Sequence, residues 1–282
     1  MDKSSSTAAD DALHGADAPV PVTPRPSATV ILVRDGPGRD LEIFMVRRDP
    51  AARFAPDAYV FPGGTLRDDD LVAGGEPPVS GLTSAEAHQR LTTRGSDPPV
   101  AASQSMALHI AAVRELYEEA GVLLGRQAGR THGPLDSDAC VRLARLRPEV
   151  QAGRSLIQTA RDLGLELLPD ALVYFSHWIT PEVSPRRYDT RFFVAVDQPE
   201  QTASHCGLET VDGGWYSPSD LLGHAAAGML TLVSVTAEHL RVLAEYRSVS
   251  ELMGFARSKP IRTVLSRRGP AGWDLGGNGE PW

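Results

Sequence analysis

The run Arg114-Glu115-Leu116-Tyr117-Glu118-Glu119-Ala120-Gly121-Val122 gathers three carboxylates on one side of what its spacing predicts to be the last turns of a helix. At about 100° per residue, Glu118 and Glu119 fall one turn on from Glu115 and on its side, while Ile110, Val113, Leu116, Tyr117 and Ala120 fill the opposite arc. Like charges at this spacing cost about 0.2–0.5 kcal/mol a pair. Anions near a helix C-terminus, which Gly121 marks, lose about 0.3–1 kcal/mol more each against the helix dipole. A divalent cation is the simplest offset. Hard cations want oxygen ligands, and Mg2+ takes one or two carboxylates, keeps several waters and accepts phosphate oxygens, which suits an open patch of glutamates better than a closed cage.

The elements that must position this helix are legible in outline. With 282 residues, 41% of them hydrophobic, the chain can bury a full core as one domain with elaborations. A net charge of −8 leaves no basic footprint for nucleic acid. Cys140 and Cys206, without CxxC spacing, argue against a disulfide framework or zinc site and fit a reducing, cytoplasmic setting. No apolar run reaches the roughly 18–20 residues of a membrane span, so a soluble protein is expected. Residues 1–26, rich in Ser, Ala, Asp and Pro, read as a disordered tail. Ala28–Val33 and Leu41–Arg47 flank a glycine turn and predict a hairpin; a third strand, Ala58–Phe61, stops at Pro62-Gly63-Gly64, where the glycines permit positive φ and close backbone approach. Residues 71–106 read as an insert around one short helix, opened by the capping box Thr83-x-x-Glu86. Helices are expected over about 137–147, closed by Pro148, and 155–163, closed by Gly164. Strands return at Ala171–Phe175, Arg191–Val196 and Trp215-Tyr216, followed by helices near 218–227, 236–246 and 249–257 and a loose tail over 259–282. The interleaving suggests a mixed sheet with helices on both faces.

Gly64, Asp70 and the Arg114–Val122 run together resemble the Nudix box, G-x5-E-x7-R-E-U-x-E-E-x-G-U with U aliphatic. The second half matches at every specified position; in the first half Asp70 stands where the pattern has glutamate. Gly64 to Val122 spans 59 residues where the pattern has 23, so about 36 extra residues interrupt the box. Such an interruption resembles the branch of the Nudix superfamily typified by the peroxisomal coenzyme A diphosphatase. Arg53–Gly64, Trp178-Ile-Thr-Pro181 and Arg186–Ala195 resemble further parts of that branch, and the likeness runs over roughly 27–250, making 27–258 the expected domain. Coenzyme A hydrolases of this superfamily carry L-L-T-x-x-S-x3-R-x3-G-x3-F-P-G-G; here Arg53 and Phe61-Pro-Gly-Gly64 fit, while Asp49 replaces the serine and Asp57 the glycine.

The resemblance implies an α/β/α sandwich, Mg2+ or Mn2+ as cofactor, metal ligation by Glu115, Glu118 and Glu119 with a backbone carbonyl from the Gly63-Gly64 turn, and hydrolysis of a diphosphate linkage in a small nucleotide-type molecule. Coenzyme A or an acyl-coenzyme A is the first substrate; an ADP-ribose, dinucleotide or nucleoside triphosphate pyrophosphohydrolase, and a non-catalytic nucleotide-binding domain, are the alternatives. Cleaving a phosphoanhydride by water requires charge neutralisation on the phosphate oxygens and an activated water. Glu115 or Glu119 is the first choice to take that water's proton, with Glu182, Glu209 or Asp212 in reserve. Arg114 is expected to orient a carboxylate and Arg53 to touch substrate, while Asp70 either accepts a bond from Arg114 or is simply exposed in its Asp68-Asp-Asp70 run. Arg186 and Arg187 either clamp the diphosphate or form structural ion pairs; Trp178 and Tyr188 either stack on a nucleobase or belong to the core, and Phe61 is a further candidate to bind substrate. The sequence leaves the oligomeric state open, a homodimer included.

Overall fold

The first strand sets the layering. β1 (Arg25–Asp35) carries Ala28, Val30 and Leu32 on one face and Ile31 and Val33 on the other, all fully buried. A strand apolar on both faces must be covered on both. The computed structural model describes residues 22–38, 40–52, 55–71, 78–93, 100–265, 267–269 and 272–274.

After β1 come β2 (Leu41–Arg48), β3 (Ala58–Val60), β4 (Gly63–Thr65) and a 3-10 turn, Asp68–Asp70. Helices α1 (Ser84–Thr92) and α2 (Ala102–Ala120) follow, then β5 (Gly125–Gln127), α3 (Ser137–Gln151), α4 (Leu156–Leu163) and β6 (Leu165–Leu167). The distal half contributes β7 (Val173–Ile179), β8 (Tyr188–Val196), β9 (Thr210–Tyr216), α5 (Pro218–Ala226), β10 (Thr231–Leu232), α6 (Ser234–Leu243), α7 (Val249–Ser258), β11 (Thr263–Leu265) and a short pair, β12 (Arg267–Gly269) with β13 (Gly272–Asp274). The main sheet runs β10-β3-β2-β1-β8-β7-β11, with β4 added to β1 and β9 to β2. It is mixed: β1 lies antiparallel to β2 and β4 but parallel to β8. On one face Ala28, Val30, Leu32, Phe44 and Phe193 pack under α2, α1, α3 and α4; on the other Ile31, Val33, Ile43, Phe192 and Val194 pack under α5, α6 and α7. This is the expected α/β/α sandwich, and the expected hairpin is present with Val33 opposite Ile43.

Several boundaries differ. β1 begins at Arg25, inside the stretch expected as a tail, because Pro26 sits where its missing N–H does no harm: its carbonyl accepts from Leu66 N–H, and parallel pairing to Tyr188–Thr190 carries the strand on. Residues 1–21 lie outside the described residues. α3 passes through Pro148 for another turn to Gln151. The insert is no mere loop, since α1 carries the expected capping box and buries Leu82, Ala87, Leu91 and Val100 in the core beneath α2. β9 reaches back to Thr210 across Gly213-Gly214, residues of poor strand propensity that β2 recruits by direct pairing. At the C-terminal end Lys259 and Ile261 are buried and β11 extends the sheet beside β7, so the ordered fold runs past 258.

Candidate active site

α2 ends as its sequence requires. Gly121 takes φ +73° and its N–H returns to the Tyr117 carbonyl at 3.0 Å, the left-handed terminator that glycine adopts without penalty. The Glu118 carbonyl, otherwise orphaned in the last turn, accepts from Arg147 Nε at 3.0 Å and Gln151 Nε2 at 2.5 Å. The extra turn of α3 therefore holds the end of the glutamate helix.

The three glutamates are buried, with Glu115 7% and Glu118 and Glu119 each 5% exposed. Arg114, fully buried, binds the two halves of the box together: Nε and Nη2 grip Asp70 at 2.8 and 2.9 Å, Nη2 donates to the Thr65 carbonyl at 3.0 Å, and Nη1 reaches Glu115 at 2.7 Å and Glu118 at 3.3 Å. Arg67 grips Glu118 bidentately at 2.7 and 2.9 Å. Glu119 accepts from Gly63 N–H at 3.0 Å, and its second oxygen has no hydrogen-bond partner among the described residues. Gly64 is a glycine because of Glu115: a Cβ there would lie 2.3 Å from the Glu115 carboxylate. Neither Gly63 nor Gly64 takes a positive φ, so close approach rather than turn geometry fixes the residue type.

The charge balance shows in the proton affinities. Burial works against the Arg114 charge, yet Asp70 and Glu115 hold its guanidinium above the ordinary arginine range. Burial pushes Glu118 up to about 7, more than Arg114 and Arg67 pull it down. Burial raises Glu115, and burial with the neighbouring Glu115 charge raises Glu119 well above the usual carboxylate range. Asp70, Glu115, Glu118 and Glu119 face two guanidinium groups, Arg67 and Arg114. Fully ionised, the four carboxylates would leave two negative charges uncompensated in a buried place; burial favours protons there, and a divalent cation would take their place. Among the described residues no three acidic, histidine or cysteine side chains converge as a ready-made cage; Arg67 and Arg114 take up carboxylate oxygens that would otherwise be available. An open acidic patch with one unpartnered carboxylate oxygen fits a hard cation that brings its own waters and a substrate oxygen.

A cleft of about 1020 Å³ opens over this cluster, lined by Glu115, Glu118, Glu119, Gly63 and Gly64. Phe61, Trp178, Tyr188, Arg186 and Glu209 line it too. Four expected site residues do not: Arg114 lies buried beneath it, and Arg187, Glu182 and Asp212 lie elsewhere. Arg187 is buried and donates to the Thr180 and Val22 carbonyls, a structural role, while its neighbour Asp189 pairs with His177 and Arg191 instead. Glu182 is exposed and absent from the cleft wall, and Asp212 lies out on β9, where it accepts from the Tyr59 hydroxyl. Arg53 lies outside the described residues. Sequence reasoning missed Arg67, Arg25 and Arg48, all in the cleft. A cation three residues past Gly64 was the available signal for Arg67; Arg48 sits at a slip in the β2–β9 register that no local pattern announces.

Both departures from the coenzyme A stretch are turn substitutions. Asp57 takes φ +62°, a left-handed conformation native to glycine and open to aspartate, and pairs with Arg47 at 2.6 Å. Asp49 accepts from Ala51 N–H at 2.7 Å, the two-residue turn that serine makes more weakly.

A mixed sheet between helical layers, with an Arg-Glu helix end meeting a glycine strand under a cleft, defines a Nudix domain. Comparison with known proteins narrows this. The chain belongs to the NUDT19 Nudix domain family, whose model matches residues 20–232. It is 28% identical over 262 residues to the human acyl-coenzyme A diphosphatase NUDT19, covering 84% of this chain and 69% of the relative. To the Xenopus laevis protein of the same name it is 26% identical over 254 residues, covering 79% of this chain and 64% of the relative. A solved Nudix hydrolase from Alicyclobacillus acidocaldarius shares the fold at a TM-score of 0.60 and 27% identity, over 82% of this chain and 96% of that one. Among the described residues no helix is long and apolar enough to cross a membrane.

Proposed function

We propose that this chain hydrolyses the diphosphate linkage of coenzyme A or an acyl-coenzyme A, dependent on Mg2+ or Mn2+. The observation that carries the reading is the buried cluster of four carboxylates, Asp70, Glu115, Glu118 and Glu119, against two guanidinium groups, Arg67 and Arg114, at and beneath the floor of the cleft. Glu115, Glu118 and Glu119, with the Gly64 carbonyl, would hold the ion, which when bound neutralises phosphate oxygens and acidifies a water. Glu115 or Glu119 accepts the attacking water's proton, each made a better base by burial than a surface carboxylate. Glu209 at the cleft rim is the reserve. Arg114 touches no solvent and acts as a positioning residue, fixing Glu115 relative to Asp70 and Thr65. Arg25, Arg48, Arg67 and Arg186 line the cleft beside the acidic floor and supply positive charge for a substrate with several phosphates. Phe61 and Trp178 belong to the buried core behind the cleft wall, which leaves the half-buried Tyr188 as the ring open to a nucleobase.

Support for coenzyme A comes from the names of the relatives; Asp49 and Asp57, which depart from the coenzyme A stretch, sit in turns that serine and glycine can also make. The test is a panel of coenzyme A, acyl-coenzyme A, ADP-ribose, NADH, diadenosine polyphosphates and nucleoside triphosphates with Mg2+ and with Mn2+. Coenzyme A should yield adenosine 3′,5′-bisphosphate and phosphopantetheine. Faster turnover of ADP-ribose or a dinucleotide would replace the substrate. No turnover of any member, with no calorimetric Mn2+ binding sensitive to Glu118→Gln, would remove the enzyme reading.

A further inference from the structure

The cleft has a second wall, built by the start of α6, that diphosphate cleavage does not use. Leu232 of β10 and Val233, Ser234, Val235 and Thr236 all line it. β10 pairs parallel with β3, Leu232 opposite Tyr59, and so delivers the helix start beside the strand that leads into Phe61 and Gly63. The first N–H groups of any helix have no carbonyl of their own, and at α6 no side chain replaces it: the capping position is Val233 and the first turn holds no acidic residue.

A second observation is independent of the helix backbone. Thr236 is only 3% exposed, yet its hydroxyl belongs to the cleft wall and has no hydrogen-bond partner among the described residues, not even the carbonyl one turn back that helical threonines often take. A hydroxyl that its own helix leaves unpaired at a cleft wall is free to donate to a group that enters the cleft. Donors without acceptors, at the positive end of a ten-residue helix, select a compact anion with several oxygens. The aromatic floor beside them reinforces the choice: Phe61, Trp178 and Phe192 line the cleft and pack on His239 of the same helix, with ring centroids 5.9, 5.5 and 4.2 Å away. An anion at this helix start therefore adjoins the apolar part of the cleft wall, beside the core rings that reach it.

We infer that the start of α6, with the Thr236 and Ser234 hydroxyls, is a subsite for a phosphomonoester on the nucleoside end of the substrate, separate from the diphosphate that is cleaved. On the coenzyme A reading above, from which the identity of the group is taken, it is the 3′-phosphate, and the subsite selects coenzyme A over its 3′-dephospho form.

Two measurements on the full chain test this. In chelator, adenosine 3′,5′-bisphosphate and adenosine 5′-monophosphate are titrated by calorimetry; the bisphosphate should bind about tenfold more tightly, and Thr236→Val should remove most of that advantage. In turnover, the kcat/KM preference for coenzyme A over 3′-dephospho-coenzyme A should collapse in Thr236→Val, mainly through KM. Val233→Asp, which supplies the missing cap from within the chain, should abolish the preference without lowering Tm, a result that a purely structural role for this turn does not produce. Equal affinity for the two nucleotides, or a preference that survives both variants, overturns the subsite. If coenzyme A is not hydrolysed at all, the proposed substrate falls while the calorimetry still decides: a bisphosphate advantage lost in both variants upholds the subsite, and equal binding refutes it.

Discussion

Replacing Arg114 by Met keeps the length and apolar stem of the side chain and removes every polar contact that joins the halves of the box. Asp70, 1% exposed, loses both guanidinium bonds; Glu115 loses its ion pair with Arg114, and the Thr65 carbonyl one donor. Glu118 keeps Arg67. Removing one partner of a buried ion pair costs about 3–5 kcal/mol because the other charge is stranded. For a domain of this size each kcal/mol shifts Tm by about 2–4 °C, so a fall of about 6–20 °C is expected. The deficit should depend on pH with a definite sign. Without Arg114, buried carboxylates such as Glu115, which burial already raises and Arg114 pulls down, bind protons more tightly folded than unfolded. Their contribution is then most favourable below the unfolded carboxylate range and is lost as pH rises, so the gap from wild type should widen between pH 5.5 and pH 8. The assay is calorimetric melting in chelator at both pH values, since a bound ion would itself stabilise the folded state. A fall under about 2 °C at pH 8, or a gap that narrows with rising pH, would show that Arg114 does not hold these charges.

The remaining expectations concern the same floor. Gly64→Ala should force the Glu115 carboxylate from its place, since the new Cβ would lie 2.3 Å from it, and lower kcat by about 10²-fold with a much smaller effect on melting; kinetics beside thermal melting separates the two. Glu115→Gln or Glu119→Gln should lower kcat by about 10²-fold or more in single-turnover assays, and a loss confined to Glu209→Gln would move the base to the rim. Mn2+ affinity should weaken as pH falls through 7, because Glu118 is pushed up to about 7 and Glu119 higher than an ordinary carboxylate, so binding must expel protons. Calorimetry in buffers of different ionisation enthalpy reads that proton release, and an affinity constant from pH 6 to 8 would contradict it.

The glutamate helix, its left-handed end at Gly121 and the capping box at Thr83 were legible because each is a local pattern with a local cause. The burial of the glutamates was not, since helical periodicity places them on one side without saying what covers it. Arg187 shows the limit most plainly: beside Arg186 it has the same local character, but only the fold decides that one faces the cleft and the other is spent on the Thr180 and Val22 carbonyls. Pro148 was read as a stop by its ring and missing N–H, and packing against the end of α2 carried the helix one turn beyond it. Asp57 was read as a departure because sequence compares side chains, whereas the position asks for a backbone angle.

The stretch between Gly64 and Arg114 divides into parts that evolve under different rules. The entropy of closing a loop rises only with the logarithm of its length, about 0.6 kcal/mol for each doubling, so lengthening the segments on either side of α1 hardly affects the meeting of Asp70 with Arg114. α1 itself buries Ala87 and Leu91 against α2 and cannot be cut away without opening the core behind the glutamates. Relatives should therefore differ in length around this helix far more than in the helix itself, and an affinity tag or reporter domain grafted beside α1 should leave the two halves of the box in register.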